Sequence, residues 1–286
     1  MLPNYFDYEE SPQVFHYTSV LGALGIIESH SIWLTEYSSL NDTQEFLYGK
    51  ELYFDALKKF TDREVPKTVE YIAALAFDDL QKRTNMLISS FSLIPDDLSQ
   101  WRSYADNARG CVISIDSEYL SEDAGVAIRK VVYDKAVMQS LTFASIDVLI
   151  EQYQENPTNI DTLYDYARRA AVDLFSYKHP AFASEQEVRI SRLVLEDIES
   201  EHLFKDVGGS SRNGHVPSLD IQSRNGPFGD ARFIALPLQK PNELSAIKAV
   251  GLGSAIDLAD KQKILEAIEK LDRSIPTWQS RIPYRT

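Results

Sequence analysis

The side chains best suited to chemistry lie in a short segment from Lys178 to Arg189, with the sequence KHPAFASEQEVR. Two carboxylates, Glu185 and Glu187, stand one residue apart, between a lysine and an arginine. The apolar run that follows predicts a strand, and alternate residues of a strand share one face. Glu185, Glu187 and Arg189 are therefore expected on one side, where they hold a polar ligand or stabilise a developing positive charge. The alternative is an edge strand with a solvated charged face and a Glu187–Arg189 pair that contributes little.

Length and composition predict one folded domain over residues 1–286. The chain is 44% apolar and 11% aromatic, which is enough for a sizeable core. Its formal net charge is −14, and non-specific nucleic-acid binding needs a basic surface. We therefore expect no such binding, although a specific nucleic-acid acceptor remains open.

The single cysteine, Cys111, rules out an intrachain disulfide and a cysteine-rich zinc site. It opens a predicted strand, so a core position is expected rather than a nucleophile. The first residues lack the basic and apolar pattern of a signal peptide, and no apolar run is long enough to span a bilayer. We expect a cytoplasmic protein without a membrane partner.

Strands and helices alternate along the chain without regular βαβ units, which indicates an α+β fold. Ser19 is a predicted N-cap for a helix over Val20–Ser29, in which Leu21, Leu24 and Ile27 stand near helical spacing. Pro157 separates two helices between residues 136 and 177. The polar stretch 206–231 is expected to be a functional lid or disordered. Its two Arg-Asn-Gly sequences favour tight hairpin turns, although Pro227 weakens the second case. Further helices are expected near 67–82, 98–107 and 258–271, and strands near 14–18, 31–35, 86–92, 111–115, 126–133, 232–236 and 247–252.

Known local motifs are few. The sequence has no phosphate-binding loop, no HExxH and no GxSxG, and its five histidines lack metal-ligand spacing. One alternative is a metal enzyme that uses His16, His179 and Glu187, although the spacing of the histidines does not predict a metal site.

Several polar and aromatic residues have two interpretations. His16, in a predicted strand just before a helix, is either a backbone-bonded histidine or a donor to a ribose hydroxyl or base edge. Trp33, Trp101 and Tyr104 are core aromatics unless they border a cleft, where their rings stack on an adenine or nicotinamide ring. The NDxxE sequence at residues 41–45 is a helix-capping box or a catalytic cluster.

An ordered set of motifs resembles the bacterial family called domain of unknown function 2971 (DUF2971). The resemblance spans nearly the whole chain, with one departure, Phe182 where a tryptophan is expected before the ExE sequence. The motifs are His16-Tyr17-Thr18, Trp33, Asn41-Asp42 with Glu45, Phe91-Ser92, Trp101 with Tyr104-Ala105, Gly110, Lys178, Glu185 with Glu187 and Arg189, and Ser280 to Arg285.

A more distant similarity is to the ADP-ribosyltransferase fold. That resemblance implies split small antiparallel or mixed β-sheets surrounded by helices, and NAD as substrate. It implies His16 as the ribose contact, Glu187 as the catalytic glutamate and Glu185 as an aid to the acceptor. The residue that supports the nicotinamide stays open among Ser90, Ser92 and Tyr104. The neighbouring residues expected to help to bind NAD are Tyr17, Thr18, Trp101 and Arg189.

Three functions follow as expectations. The first is an NAD-dependent ADP-ribosyltransferase, a toxin or phage-defence effector that cleaves the nicotinamide–ribose bond and modifies a protein or nucleic acid. The second is a non-catalytic nucleotide-binding or protein-interaction module on the same fold. The third is a metal-dependent nuclease or hydrolase that uses Asp42, Glu45 and Glu187, although no metal is predicted.

Overall fold

A computed structural model describes residues 3–39, 43–59, 65–82, 84–201, 203–226, 229–241 and 244–283. The α-helices are α1 Val20–Ser29, α2 Thr43–Lys59, α3 Lys67–Lys82, α4 Leu98–Tyr104, α5 Ser117–Glu122, α6 Lys135–Glu155, α7 Ile160–Asp173 and α8 Leu258–Asp272. The strands are β1 Gln13–Thr18, β2 Ser31–Glu36, β3 Thr84–Ser92, β4 Cys111–Asp116, β5 Ala127–Lys130, β6 Glu187–Glu196, β7 Phe204–Asp206, β8 Gly209–Ser211, β9 Gly214–Val216, β10 Gln222–Gly226, β11 Gly229–Pro237, β12 Ile247–Leu252 and β13 Thr277–Gln279. The α+β class expected from the sequence is confirmed.

The strand β3 divides the sheet. One edge of β3 pairs with β6 along its whole length, from Thr84 to Ser92. The other edge pairs with β2 at Leu87 and Ile88, and with β1 only at Ser92. The strands β1 and β2 thus diverge from the same edge of β3, and α1 joins them. A fork opens between them.

Eleven strands join into one sheet, in which the path β10-β11-β2-β3-β1-β4-β12-β13 is extended from β3 by β6, β5 and β7. All pairs in it are antiparallel except β12–β13. The sequence-based expectation of separate small sheets is wrong in this respect, because β3 connects both arms. A separate hairpin is formed by β8 and β9.

Two hydrophobic cores cover the two faces of this sheet. Along β3, Leu87 and Phe91 belong to the core beneath α1, α5 and α8. Met86 and Ile88 belong to the core beneath α2, α3, α6 and α7. The alternation follows from the two-residue period of a strand.

The helix α1 begins as predicted, since the Ser19 side chain accepts a hydrogen bond from the Gly22 amide. Of the apolar residues at helical spacing, Leu24 and Ile27 pack toward the core, whereas Leu21 points to solvent. Its side chain is 81% exposed, and the buried positions of α1 are Ala23, Ile26 and Ile27. The apolar spacing of this helix fits two faces, and the packing against α8 selects the second.

Among the described residues, the stretch 206–231 is not a long disordered loop, because it contains β8, β9, β10 and the start of β11. Its role as a lid stays a prediction. The first Arg-Asn-Gly sequence turns the β8–β9 hairpin, where Gly214 has a φ of 114°. Asn-Gly pairs favour this turn because glycine adopts positive φ without strain. Arg224 to Gly226 instead end β10.

Candidate functional site

A cleft of about 640 Å³ occupies the fork between β1 and β2. Volumes of this size are typical of sites for small molecules and cofactors. Its walls come from β1, α1, β2 and β3, from the segment 178–187 and from Arg224 of β10. It is the place where residues from both arms of the sheet meet.

His16 lies at the fork. Its Nδ1 is 2.9 Å from the Ser90 backbone carbonyl, and its ring meets the Phe91 ring edge-on at 5.6 Å. A carbonyl only accepts, so Nδ1 carries the proton. Burial lowers the pKa of His16, and the bond to Ser90 opposes this shift. The neutral ring therefore keeps Nε2 as an acceptor, in contrast to the donor expected from the sequence.

A cluster of four charged side chains builds the opposite wall, where Lys178, Glu185 and Glu187 line the cleft and Arg189 lies behind them. Arg189 Nε lies 2.7 Å from Glu187 Oε1, and its second terminal nitrogen lies 3.1 Å from Oε2. Lys178 Nζ lies 3.1 Å from Glu187 and 2.7 Å from Glu185. Lys178 is only 1% exposed, so this cluster is no solvated strand face. The sequence-based alternative of a weak surface pair is wrong.

Glu187 is ionised in this setting. Burial by itself raises the pKa of Glu187, but the charges and hydrogen bonds of Arg189, Lys178 and Ser90 lower it to about 2. Its backbone amide donates to the Tyr133 hydroxyl at 3.0 Å. The cluster thus presents a fixed carboxylate to the cleft at neutral pH.

Glu185 does not lie on the strand, in contrast to the sequence-based expectation. It ends a 3₁₀-helix over Pro180–Glu185, and Gln186 follows with a φ of 43°. The left-handed residue turns the chain, so the two glutamates approach Lys178 from different directions. Glu185 Oε1 accepts a hydrogen bond of 2.8 Å from the Tyr104 hydroxyl, and its carbonyl accepts one of 2.9 Å from Ser92.

Eight of the ten residues singled out by the sequence line the cleft, namely His16, Tyr17, Thr18, Ser90, Ser92, Tyr104, Glu185 and Glu187. Trp101 and Arg189 do not. Trp101 is buried in a small core, where Nε1 donates to Asp96 at 2.7 Å. Arg189 lies behind Glu187 and donates to the Phe175 carbonyl at 2.7 Å. Neither side chain lines the cleft, so the structure does not support a direct ligand contact for either of them.

Tyr17 is also more structural than the sequence suggested. Its hydroxyl donates to the Ile94 carbonyl at 2.9 Å and accepts from the Asp97 amide at 3.1 Å. Its ring packs edge-on against Trp101 at 5.0 Å. Tyr104, by contrast, is 46% exposed at the rim of the cleft.

Sequence reasoning missed Arg224. Its guanidinium carbon lies 4.9 Å from the centre of the Trp33 ring, and both residues line the cleft. The only signal was the second Arg-Asn-Gly sequence, which indicated a turn and not a site. Lys178 belonged to the family motif but was assigned no role.

Cys111 is a core residue, as predicted. Its side chain is buried at the start of β4, and burial raises the pKa of the thiol to about 12.

Asn41 and Asp42 lie outside the described residues, as does the Glu45 side chain. In the part of the chain that is described, no group of three or more His, Cys, Asp and Glu side chains is arranged to hold a metal ion. Among the same residues, no helix has the length and apolarity that crossing a membrane requires.

The family described as "Protein of unknown function (DUF2971)" has a model that matches residues 100–190, less than half of the chain. This match supports the similarity of the sequence motifs to that family. No curated protein and no solved structure matches the chain. The matched range includes Tyr104, Lys178, Glu185 and Glu187, whereas His16 lies outside it.

Proposed function

We propose that this protein binds NAD in the cleft and cleaves its nicotinamide–ribose bond, with transfer of ADP-ribose to an acceptor. One observation carries the proposal. His16 of β1 and Glu187 of β6 border the same cleft, although 170 residues separate them in the sequence. A carboxylate, a neutral histidine, two serines and a rim tyrosine suit a ligand that has ribose hydroxyls and an aromatic base.

The reaction places positive charge on the ribose. When the N-glycosidic bond breaks, its electron pair leaves with nicotinamide, and the ribose carbon becomes oxocarbenium-like. The ionised Glu187 carboxylate, held by Arg189 and Lys178, is a preorganised anion for that charge. The acceptor then attacks the same carbon, and Glu185 takes the proton that the acceptor loses.

His16 supports binding rather than the bond cleavage itself. With Nδ1 committed to the Ser90 carbonyl, Nε2 accepts a hydrogen bond from a ribose hydroxyl. Tyr104, exposed at the rim and bonded to Glu185, offers its ring to the nicotinamide. These contacts orient the ribose toward Glu187.

A second candidate, a nucleotide-binding module without turnover, has an observation of its own. The Glu187 carboxylate already accepts hydrogen bonds, two from Arg189, one from Lys178 and one from Ser90. A carboxylate has about four acceptor positions, so few if any remain for a ligand. In this candidate the cluster is structural, and NAD binds without being cleaved.

The test is nicotinamide release from NAD by the wild type and by Glu187→Asp and Glu187→Gln. Aspartate keeps the negative charge beside Lys178 and Arg189, so the ion pairs that support folding are retained. Its side chain is one methylene shorter, so the carboxylate moves away from the ribose and catalysis is affected separately. We expect Glu187→Gln to lower the rate roughly 10²–10³-fold, by analogy with other charge-stabilising groups. Glu187→Asp should also be slow, since a misplacement of about 1 Å costs about 10²-fold.

The matched control is Glu196→Gln, at the exposed end of the same strand, which should keep the wild-type rate. If Glu187→Asp melts like the wild type and releases nicotinamide equally fast, the catalytic role is wrong. If the wild type releases none but gains about 5 °C in melting temperature at 100 times the Kd of NAD, the second candidate is correct.

A further inference from the structure

The wall of the cleft opposite Glu187 carries an exposed cation in contact with an aromatic ring. Arg224 lies over Trp33, with 4.9 Å between the guanidinium carbon and the ring centre. Trp33 is 44% exposed and packs against Phe233, with 4.3 Å between ring centres and 32° between ring planes. Phe233 thus supports Trp33, and Trp33 supports Arg224.

Strand pairing explains why these three side chains meet. The strand β11 lies between β10 and β2, with Arg224 opposite Ala231 and Ala235 opposite Trp33. Opposite residues share a face, and so do residues two apart on one strand. Arg224, Phe233 and Trp33 therefore project from one face of the sheet.

The same face continues to the catalytic wall. Thr35 of β2 pairs with Ile88, and Ser92 of β3 pairs with Glu187. By the same alternation, Glu187 projects from the face that carries Arg224. Four strand spacings separate β10 from β6, which places the two residues about 19 Å apart across the strands. A ligand that contacts both must be extended, as a dinucleotide is.

Arg224 remains able to bind an anion. The contact with Trp33 occupies no N–H group in a hydrogen bond, and the Arg224 side chain donates to no residue that the structure describes. Its N–H groups are therefore available for bidentate bonds to phosphate. Lys178 and Arg189 are ion-paired within the cluster, whereas Arg224 forms no ion pair with any residue that the structure describes. In a chain of net charge −14, this cation at the cleft wall favours a negatively charged ligand group.

We propose that Arg224, oriented by Trp33, binds the pyrophosphate of an extended dinucleotide whose other end reaches Glu187. The inference rests on the proposed function and names its substrate class. The cleft selects a ligand that carries phosphate between two nucleosides, and it discriminates against a nucleoside alone. Arg224 is a binding residue, and Trp33 is a positioning residue.

Calorimetric titration with ADP-ribose, adenosine and inorganic pyrophosphate tests this inference. ADP-ribose carries the pyrophosphate but no nicotinamide, so its binding is measured without turnover. We expect Arg224→Gln to weaken ADP-ribose binding roughly 10- to 100-fold, as the loss of a charge-assisted hydrogen bond does. Trp33→Leu should weaken it less, and Arg224→Lys should restore only part, because lysine lacks the planar fork.

Arg168→Gln is the matched control, since it removes an equal charge from the surface of α7, away from the residues that line the cleft. It should leave the affinity unchanged. Because Arg224 is exposed, added salt screens its charge. The difference in ADP-ribose affinity between wild type and Arg224→Gln should therefore become smaller as the salt concentration rises. Equal ADP-ribose affinity in wild type and Arg224→Gln would overturn the proposal, and so would adenosine binding as tight as that of ADP-ribose.

Pyrophosphate binding as tight as that of ADP-ribose would overturn the dinucleotide class and identify a site for free phosphates. Failure of this inference and failure of the proposed function give different results. NAD that binds through Arg224 but is not cleaved refutes only the transferase. If NAD is cleaved but Arg224→Gln binds ADP-ribose as tightly as the wild type does, only this subsite is refuted.

Discussion

Lys178 Nζ lies 3.1 Å from Glu187 Oε2, and both side chains are almost fully removed from solvent. A buried ion pair is costly to assemble but more costly to break, because the remaining charge is left without compensation. Lys178 also serves Glu185, so one cation holds two carboxylates together.

The first prediction concerns that cation. Lys178→Met should lower the free energy of unfolding by about 3–5 kcal/mol, since it leaves two neighbouring carboxylates to the single charge of Arg189. Urea denaturation followed by circular dichroism measures the change. Lys58→Met is the control, because Lys58 is exposed in a surface pair with Asp55 and should change stability by less than about 0.5 kcal/mol. Equal effects of the two substitutions would contradict the structural role of Lys178.

The second prediction concerns the stability of the folded protein at acid pH, which depends on the ionisation of Glu187. Its folded pKa is about 2, below the ordinary 4.5, so protons bind more tightly to the unfolded chain. The contribution of ionised Glu187 to the free energy of unfolding is fully present above about pH 4.5 and is lost as the pH falls toward 2. It amounts to roughly 3 kcal/mol. Melting temperatures of wild type and Glu187→Gln should therefore converge over that range, and a constant difference would show that Glu187 is not the titrating group.

The third prediction concerns His16, whose pKa is lowered by burial. Its protonation favours the unfolded chain, so the wild type should lose stability as the pH falls below about 6.5, the ordinary value. His16→Asn removes this contribution and should reduce the fall in melting temperature between pH 7 and 5, whereas His30, whose pKa is also lowered by burial, keeps its own contribution. Imidazole proton resonances that titrate at or above 6.5 in the folded protein would contradict the assignment.

The fourth prediction tests a close approach of backbone beneath the cleft. A Cβ at Gly110 would lie 2.2 Å from the Thr18 carbonyl oxygen, at the end of β1. Gly110→Ala should destabilise the protein by about 3 kcal/mol, because backbone must shift. Gly25→Ala is the opposite case, since nothing lies within 4 Å and the residue is inside α1, where alanine should add about 0.5–1 kcal/mol. Chemical denaturation of the two variants should give changes of opposite sign.

Local signals in the sequence predicted the elements well. The Ser19 cap gives the start of α1, and α3 has the predicted bounds Lys67–Lys82. The break at Asn156-Pro157 separates α6 from α7. These features depend on residues within a few positions of one another, which is why a single sequence contains them.

The candidate site was predictable only in part, because non-local pairing decides which side chains meet. The sequence indicated His16 and Glu187, but not that β3 brings them to one cleft. Arg224 could not be assigned, since its place depends on β11 lying between β10 and β2. The position of Glu185 depends on one left-handed residue, Gln186, which no periodic pattern reveals.

The strand order also determines what a shorter piece of this protein can do. Within residues 100–190, β4 pairs with β1 and β12, which both lie outside that range. The start of β6 retains β5 but loses β3. A fragment cut to the family match would expose unpaired strand edges, which are sites of aggregation. Recombinant work on the matched segment therefore needs the flanking strands, because they supply the pairing partners of β4 and β6.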